Sequence, residues 1–269
     1  MLLRRITQHV KDQNWFAVVI DFAIVVFGIL LAFQVTEWNQ RLKNNGLEGE
    51  YLMRIAWDLE RDSEALQGFE ALKERQVARL LLVIYLNSDP EEAITRRCDY
   101  LGSLVTGVTS TSPDVFDQTI NEMVGSGGVV ILQDDALKDL ISQYYNSFEA
   151  YESSELSARE SFNMLNELSW RYLPVVMGIP MLDVVHQVLG QNGNLNDHLN
   201  SGNTSFDLPL CNDYKSELDT FYETINIDPA FSGYLQIAYA EHHKQIRFVR
   251  RQQALNQNLK TLIEAKLNP

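Results

Sequence analysis

"FAVVIDFAIVVFGILLAFQV", residues 16–35, is apolar throughout except for Asp21 and Gln34. Twenty residues at about 1.5 Å each make a helix of roughly 30 Å, the hydrocarbon thickness of a bilayer. The core helix of a soluble protein carries one apolar stripe. This segment is apolar on every face, follows Arg4, Arg5 and Lys11, and opens behind Trp15, a pattern that lipid explains better. The run is longer than the usual apolar region of a cleaved leader, and no A-x-A-like site follows it. An uncleaved signal anchor over 16–35 is therefore expected.

Lysine and arginine near the two ends set the orientation. Arg4, Arg5 and Lys11 precede the segment, whereas Arg41 and Lys43 follow it beside Glu37, Glu48 and Glu50. This asymmetry favours a cytoplasmic tail over 1–15 and an exported, periplasmic domain over 36–269, with the chain crossing the inner membrane once. Removing Arg4, Arg5, Lys11, Asp12 and Asp21 from the 22 basic and 36 acidic residues leaves 19 and 34, a net charge of −15 after position 35. Such a surface offers no electrostatic footprint for nucleic acid. "RLLLVIYL" and "YLPVVMGIPMLDVV" are too short or too interrupted to be further spans.

The rest reads as helices. Apolar residues at Leu52, Ile55, Leu59, Leu66, Phe69, Leu80 and Val83 alternate spacings of three and four, with polar breaks at Asp62, Lys73 and Gln76. The pattern predicts one helix over about 47–86, with a hinge favoured near Gly46 and Gly49. "NSDPEEA" ends it and opens another to about Val105, Asp89 serving as cap and Pro90 as first residue. Ser112-Pro113-Asp114 is expected to open a short helix ending at Gly125-Ser126-Gly127-Gly128, and "VVIL" is too short to assign by period. Asp134-Asp135 caps a long helix that Pro174 is expected to break. Short helical pattern returns over 181–189, and closing helices are predicted over 214–225 and 230–267. With no strand series, no internal repeat and no heptad run sustained over four repeats, the expected fold is all-α: an N-terminal transmembrane helix followed by a long-helix antiparallel bundle.

"GILLAFQVTEWNQR" leading into "EYLMRIAWDLERD", behind a basic tail and an acid early in the span, resembles a family of uncharacterised bacterial single-pass membrane proteins. "TSPDVFDQTINEMVGSGGVVILQDDALKDLISQYY" is similar to the mid-chain pattern of that family. The two islands cover roughly 16–62 and 109–145. Phe33 stands where members more often carry leucine, and Ile20 replaces the glycine usual before the acid. The resemblance implies a single-span topology and a helical exported domain, and it brings no activity with it.

Motifs that would carry chemistry lack their contexts. "GSGG" at 125–128 has no Lys-Ser/Thr after it and reads as a helix end and turn. His242 and His243 are neighbours on a helix, about 100° apart, and are poorly placed to share a metal. "NGNLND" alternates side-chain oxygens at Asn192, Asn194, Asn196 and Asp197, but Asn203 stands where a calcium loop needs a bidentate glutamate, so an Asx-turn loop is the plainer reading. Tyr144, Tyr145, Phe148 and Tyr151 share helical spacing and read first as core. No nucleophile motif is present, so neither catalysis nor a cofactor is expected. Cys98 and Cys211 are the only cysteines and a candidate disulfide of an exported domain.

On a helix at 100° per residue, Asp21, Gly28 and Ala32 lie within about 20° of one stripe. Gly28-x-x-x-Ala32 is a small-xxx-small pair that lets another helix approach closely. Asp21 is only about 8 Å inside the span, within reach of headgroups by snorkelling. Its coincidence with the packing notch favours helix association, with a second copy or with another membrane or envelope protein. The expected function is that of a membrane-anchored helical interaction or scaffolding protein of the bacterial envelope. The alternative is a periplasmic ligand-binding sensor acting through a membrane partner.

Overall fold

The computed structural model describes residues 15–177, 211 and 213–268. The tail over 1–14, the 181–189 segment and the asparagine loop at 192–203 lie outside the described residues. The described residues are helical, with no strand among them: α1 (Trp15–Ser88), α2 (Pro90–Thr95), α3 (Arg97–Gly107), α4 (Gln118–Gly125), a 3₁₀ turn (Gly128–Ile131), α5 (Asp135–Met177), α6 (Lys215–Asn226) and α7 (Pro229–Leu267). The all-α expectation holds.

Helix α1 is 74 residues long and unbroken, about 110 Å from end to end. The apolar segment and the first bundle helix are thus one element, and the expected hinge at Gly46 and Gly49 is absent. A helical glycine costs at most about 1 kcal/mol, less than burying a single leucine returns. The neighbouring turn supplies that burial through Leu52 and Ile55.

Three helices form the bundle. From Leu52 outward α7 packs closely against both α1 and α5 and runs back between them, while α1 and α5, which run the same way, meet through side chains such as Phe69 on Tyr151 and Tyr144 on Asp62; α2, α3, the 109–117 segment and α4 make a broken return leg along α1. A repeat of buried positions runs along α1 at 52, 55, 59, 62, 66, 69, 73, 76, 80 and 83 and along α7 at 231, 235, 238, 242, 245, 249, 252, 256, 259 and 263, with Asp58, Val77, Arg79 and Ile246 buried beside it. Helix α5 repeats the pattern from Leu137 through Ile141, Tyr144, Phe148, Tyr151, Glu155, Ala158, Phe162 and Leu165. Spacings of three and four alternate strictly, so each helix keeps a 3.5-residue repeat for four heptads or more, as coiled-coil packing requires. This corrects the sequence expectation of no sustained heptads. Asp62, Lys73 and Gln76 occupy core positions of the repeat and are 0% exposed, as are His242 and Gln252 on α7.

Lys73, Gln76 and His242 lie between two apolar clusters, and Asp62 and Gln252 lie within the first. One, nearer the apolar segment, centres on Ile55, Leu59, Met123, Tyr144, Val249 and Ile263. The other centres on Leu80, Val83, Leu101, Phe162, Phe221 and Phe231. Tyr144, Phe148 and Tyr151 are core, as their spacing predicted, and Tyr145 is half-buried beside them. Asp89 caps α2 through Glu92 N at 3.1 Å, and Asp228 caps α7 through Ala230 N at 2.8 Å.

Three element boundaries differ from expectation. The helix predicted after Pro90 is interrupted at Arg96, whose guanidinium is held by Glu92 and Asp99. Helix α4 starts at Gln118, not near Pro113, because residues 109–117 are drawn along α1 by buried side chains described below. Helix α5 passes through Pro174 to Met177. A proline within four residues of a helix end costs one intrahelical bond and does not have to end the helix where it stands.

Candidate functional site

Four features of the chain are candidates for function: the outer face of α1, the polar belt, the strap over it, and a cleft between α5 and α7. Helix α1 carries, from Val19 on, a stretch long and apolar enough to cross a membrane, and none of that stretch is buried. Phe22, Ile24, Leu31 and Phe33 are more than half exposed, and a Cβ added at Gly28 would meet nothing within 4 Å. Asp21, Gly28 and Ala32 lie on one side of this rod, all exposed. At 100° per residue, that side is diametrically opposite the Leu52, Ile55 and Leu59 face buried in the bundle. The same line continues through Gly46, Met53 and Trp57, where Met53 is 58% and Trp57 64% exposed. The outer face of α1 is therefore open from the apolar segment to the bundle.

The polar belt is built at the middle of the bundle. Lys73 is wholly buried, its Nζ without a hydrogen-bond partner and 4.9 Å from the centre of the Phe69 ring. Burial pushes its amine down to about 7, against the pull of the Glu155 carboxylate. His242 Nε2 lies 2.7 Å from the carbonyl of Gly107 and the ring stacks on Phe162 at 4.7 Å. Burial holds the ring neutral, with its pKa lowered to about 3 and Lys73 adding to the shift. A carbonyl can only accept, so Nε2 carries the proton and Nδ1 is the acceptor. The Gln245 amide 3.3 Å from Nδ1 must then turn its NH₂ toward the ring. Gly107 lets the carbonyl approach, because a Cβ there would come within 2.9 Å of the Leu80 side chain and force it to shift.

The strap, residues 109–117, is tied down by the same class of residue. Gln76 Nε2 donates to the Thr109 carbonyl at 2.9 Å, Ser110 and Ser112 donate to Glu155, and Phe116 N donates to Asp62 at 2.7 Å. Asp62 also accepts from the Tyr144 hydroxyl at 2.8 Å, and Asn256 donates to that hydroxyl and to the Leu59 carbonyl. Burial outweighs these bonds and raises the Asp62 carboxyl to about 6. At Glu155 burial also raises, but hydrogen bonds from Ser112, Ser110 and Arg159 more than offset it, so the carboxyl is held below its ordinary value. A loop that pairs with no strand or helix still has to satisfy its backbone, and Gln76 and Asp62 do so at Thr109 and Phe116, while Glu155 holds two of its serine hydroxyls.

The cleft, of about 200 Å³, lies between α5 and α7 at the level of the belt, its walls including Tyr151 and Phe248. Those two rings stack at 4.2 Å with 21° between their planes.

Cys98 on α3 is joined to Cys211, with Cα atoms 5.7 Å apart, across 113 residues of sequence. His242 is buried while His243 packs its edge against Tyr239 on another side of α7. Gly127 has φ 72° between α4 and the 3₁₀ turn, the left-handed conformation that glycine adopts without strain.

No family model matches this chain, and neither a curated protein nor a solved structure is significantly similar to it. The belt residues Lys73, His242 and Glu155 were not readable as a site, since each taken alone looks like a surface residue. The signal that finds them is the phase: each falls on the 3.5-residue repeat of its helix.

Proposed function

We propose that this chain is a membrane-anchored interaction protein of the bacterial envelope, oriented with its N-terminus in the cytoplasm and its bundle in the periplasm, that docks a second membrane-spanning helix along the outer face of α1. The observation that supports this is continuity. Asp21, Gly28 and Ala32 in the apolar segment share one line with Gly46, Met53 and Trp57 beyond it, on the side of α1 turned away from the bundle core. A partner helix lying in the Gly28–Ala32 notch can follow α1 out of the bilayer without meeting the bundle. Asp21 on the same line costs less when it is paired with a polar group of that partner than when it faces lipid alone. The resemblance of 16–62 and 109–145 to single-pass proteins agrees with this topology.

Site-specific photo-cross-linking in native membranes tests the reading. A photoreactive residue at Ala32 is expected to capture a helix that one at Leu30, on the opposite side, does not. Asp21→Asn and Gly28→Leu together are expected to abolish the capture. Equal labelling from both positions, or a complex indifferent to both substitutions, overturns it. A second reading, a ligand-binding sensor working through such a partner, is favoured by the cleft between α5 and α7.

A further inference from the structure

We infer that the groove between α5 and the leg formed by the strap and α4 is a docking site for a basic amphipathic helix of a partner polypeptide. The inference goes beyond the docking face on α1 and does not depend on it. Two adjoining hollows of about 490 Å³ each make the groove, and they share Ser112, Glu149 and Glu152. One wall is a stripe of α5. Tyr145, Glu149, Glu152 and Leu156, spaced by four, three and four residues, lie within about 40° of one another around that helix. The other wall is Pro113, Val115 and Asp117 of the strap, with Val124 of α4. From Tyr145 to Leu156 is about 17 Å, the length of about three helical turns.

What these walls expose selects the occupant. Leu156 is 65% and Val124 60% exposed, one in each hollow, and Pro113, Val115 and Tyr145 are half-buried between them. A groove with such a floor takes the apolar stripe of a helix. Asp117, Glu149 and Glu152 are exposed along it, and their carboxylates have no hydrogen bond or ion pair among the described residues. Arg159, the cation of the lining, is engaged by Glu155. The unpaired carboxylates therefore leave the groove negative, complementary to lysine or arginine on either side of an apolar stripe.

The level of the groove distinguishes a polypeptide from a lipid surface. Tyr144 bonds Asp62 and Tyr151 packs on Phe69, so the groove runs at the level of residues 62–69 of α1. With the apolar segment ending at Val35, the rod carries Asp62 about 40 Å beyond it, whereas headgroups extend only about 5–8 Å past the hydrocarbon. A small cation would meet the carboxylates but leave Leu156 and Val124 bare.

Fluorescence titration of the full chain in phosphatidylcholine nanodiscs, with empty discs as blank, tests this using labelled peptides of about fourteen residues. The first peptide has leucines at helical spacings of three and four between lysines; the second has the same composition with the leucines scattered; the third replaces lysine by glutamate. Spermine serves as an unlabelled competitor. The first peptide is expected to bind saturably at one per chain, about tenfold or more tighter than the second, with no saturable binding of the third. Glu149→Gln with Glu152→Gln, and separately Val124→Asn with Leu156→Asn, are each expected to weaken the first peptide about tenfold or more. All four residues are exposed, so neither pair disturbs the core. Glu223→Gln with Glu264→Gln, the same charge change on exposed residues of α6 and α7, is expected to weaken it less than about threefold. The inference is overturned by no saturable binding of the first peptide up to about 1 mM, or by equal binding of the scattered peptide. Unchanged affinity in either groove pair, equal loss in the distant pair, or spermine binding as tightly as the first peptide overturns it too. Capture from Ala32 on α1 is read separately and is unaffected by any of these outcomes.

Discussion

Lys73 is the residue whose surroundings make the strongest physical demand. Its amine is buried between two apolar clusters with only a ring face and a nearby carboxylate for company, so folding depresses its pKa from 10.5 to about 7. Between those values the unfolded chain holds the proton and the folded chain does not. Stability therefore rises with pH from about 7 to about 10.5, and below 7 the full cost of burying the charge remains, on the order of 5 kcal/mol as an upper bound. Lys73→Met keeps the stem and removes the charge. It is expected to stabilise the bundle at pH 7 by a few kcal/mol and to flatten the pH dependence between 7 and 10, as measured by chemical denaturation at both ends of that window. A loss of stability in Lys73→Met would show that the amine has a partner worth more than its desolvation. Asp62 also costs stability when charged, but with the opposite pH slope and on the acid side of neutrality. Its carboxyl is raised to about 6, so its share of the destabilisation is present above pH 6 and recovered as pH falls toward 4. His242, lowered to about 3, does the opposite, costing stability as pH falls from 6.5 toward 3. Asp62→Asn is expected to remove only the first of these, leaving an acid limb governed by the histidine.

At the scale of elements, the heptad frame shows how far the sequence could be read. The apolar positions of α1 were legible from their three-and-four spacing, and the helix, its caps at Asp89 and Asp228 and both closing helices follow from local signals. What the sequence hid was the role of the residues between them. Asp62, Lys73 and Gln76 look like interruptions because a hydropathy pattern treats a polar residue as solvent-facing. Their phase says otherwise, and the reason for their burial is the strap at 109–117, far away in sequence, whose backbone needs side-chain partners. Non-local demands of this kind leave no local trace. Gln76→Leu, which keeps the volume and removes the strap's partner, is expected to cost about 1–3 kcal/mol and to raise amide exchange selectively over 106–112. Uniform exchange across the bundle would instead mean that the strap opens only with global unfolding. The Cys98–Cys211 bond clamps α3 to the chain ahead of α6 and closes a long loop. Cys98→Ser with Cys211→Ser is expected to lower stability by up to about 4–5 kcal/mol on the chain-entropy model, and the wild-type chain to shift mobility between reducing and non-reducing gels.

At the scale of the whole molecule, the decisive feature is that a single rod carries both the apolar segment and the bundle core. Because α1 has no break at Gly46 or Gly49, the angular phase of the Asp21–Gly28–Ala32 face relative to the bundle is fixed by the number of residues between them. A partner that engages the face on both sides of the bilayer surface depends on that number. Two alanines inserted after Lys43 would turn the bundle by about 200° around the rod, carrying Met53 and Trp57 away from the partner while leaving every residue of the apolar segment unchanged. Seven alanines would turn it by about 700°, within roughly 20° of the original phase, and move it outward by about 10 Å. Cross-linking from Ala32 is expected to survive both insertions. Capture by a photoreactive residue at Trp57 is expected to be lost with two residues and regained with seven, because only the longer insertion restores the shared face. Loss with both would mean that reach along the rod, and not phase, governs the outer contact. Retention with both would mean that the bundle's side of α1 takes no part in docking and that the apolar segment alone carries the interaction.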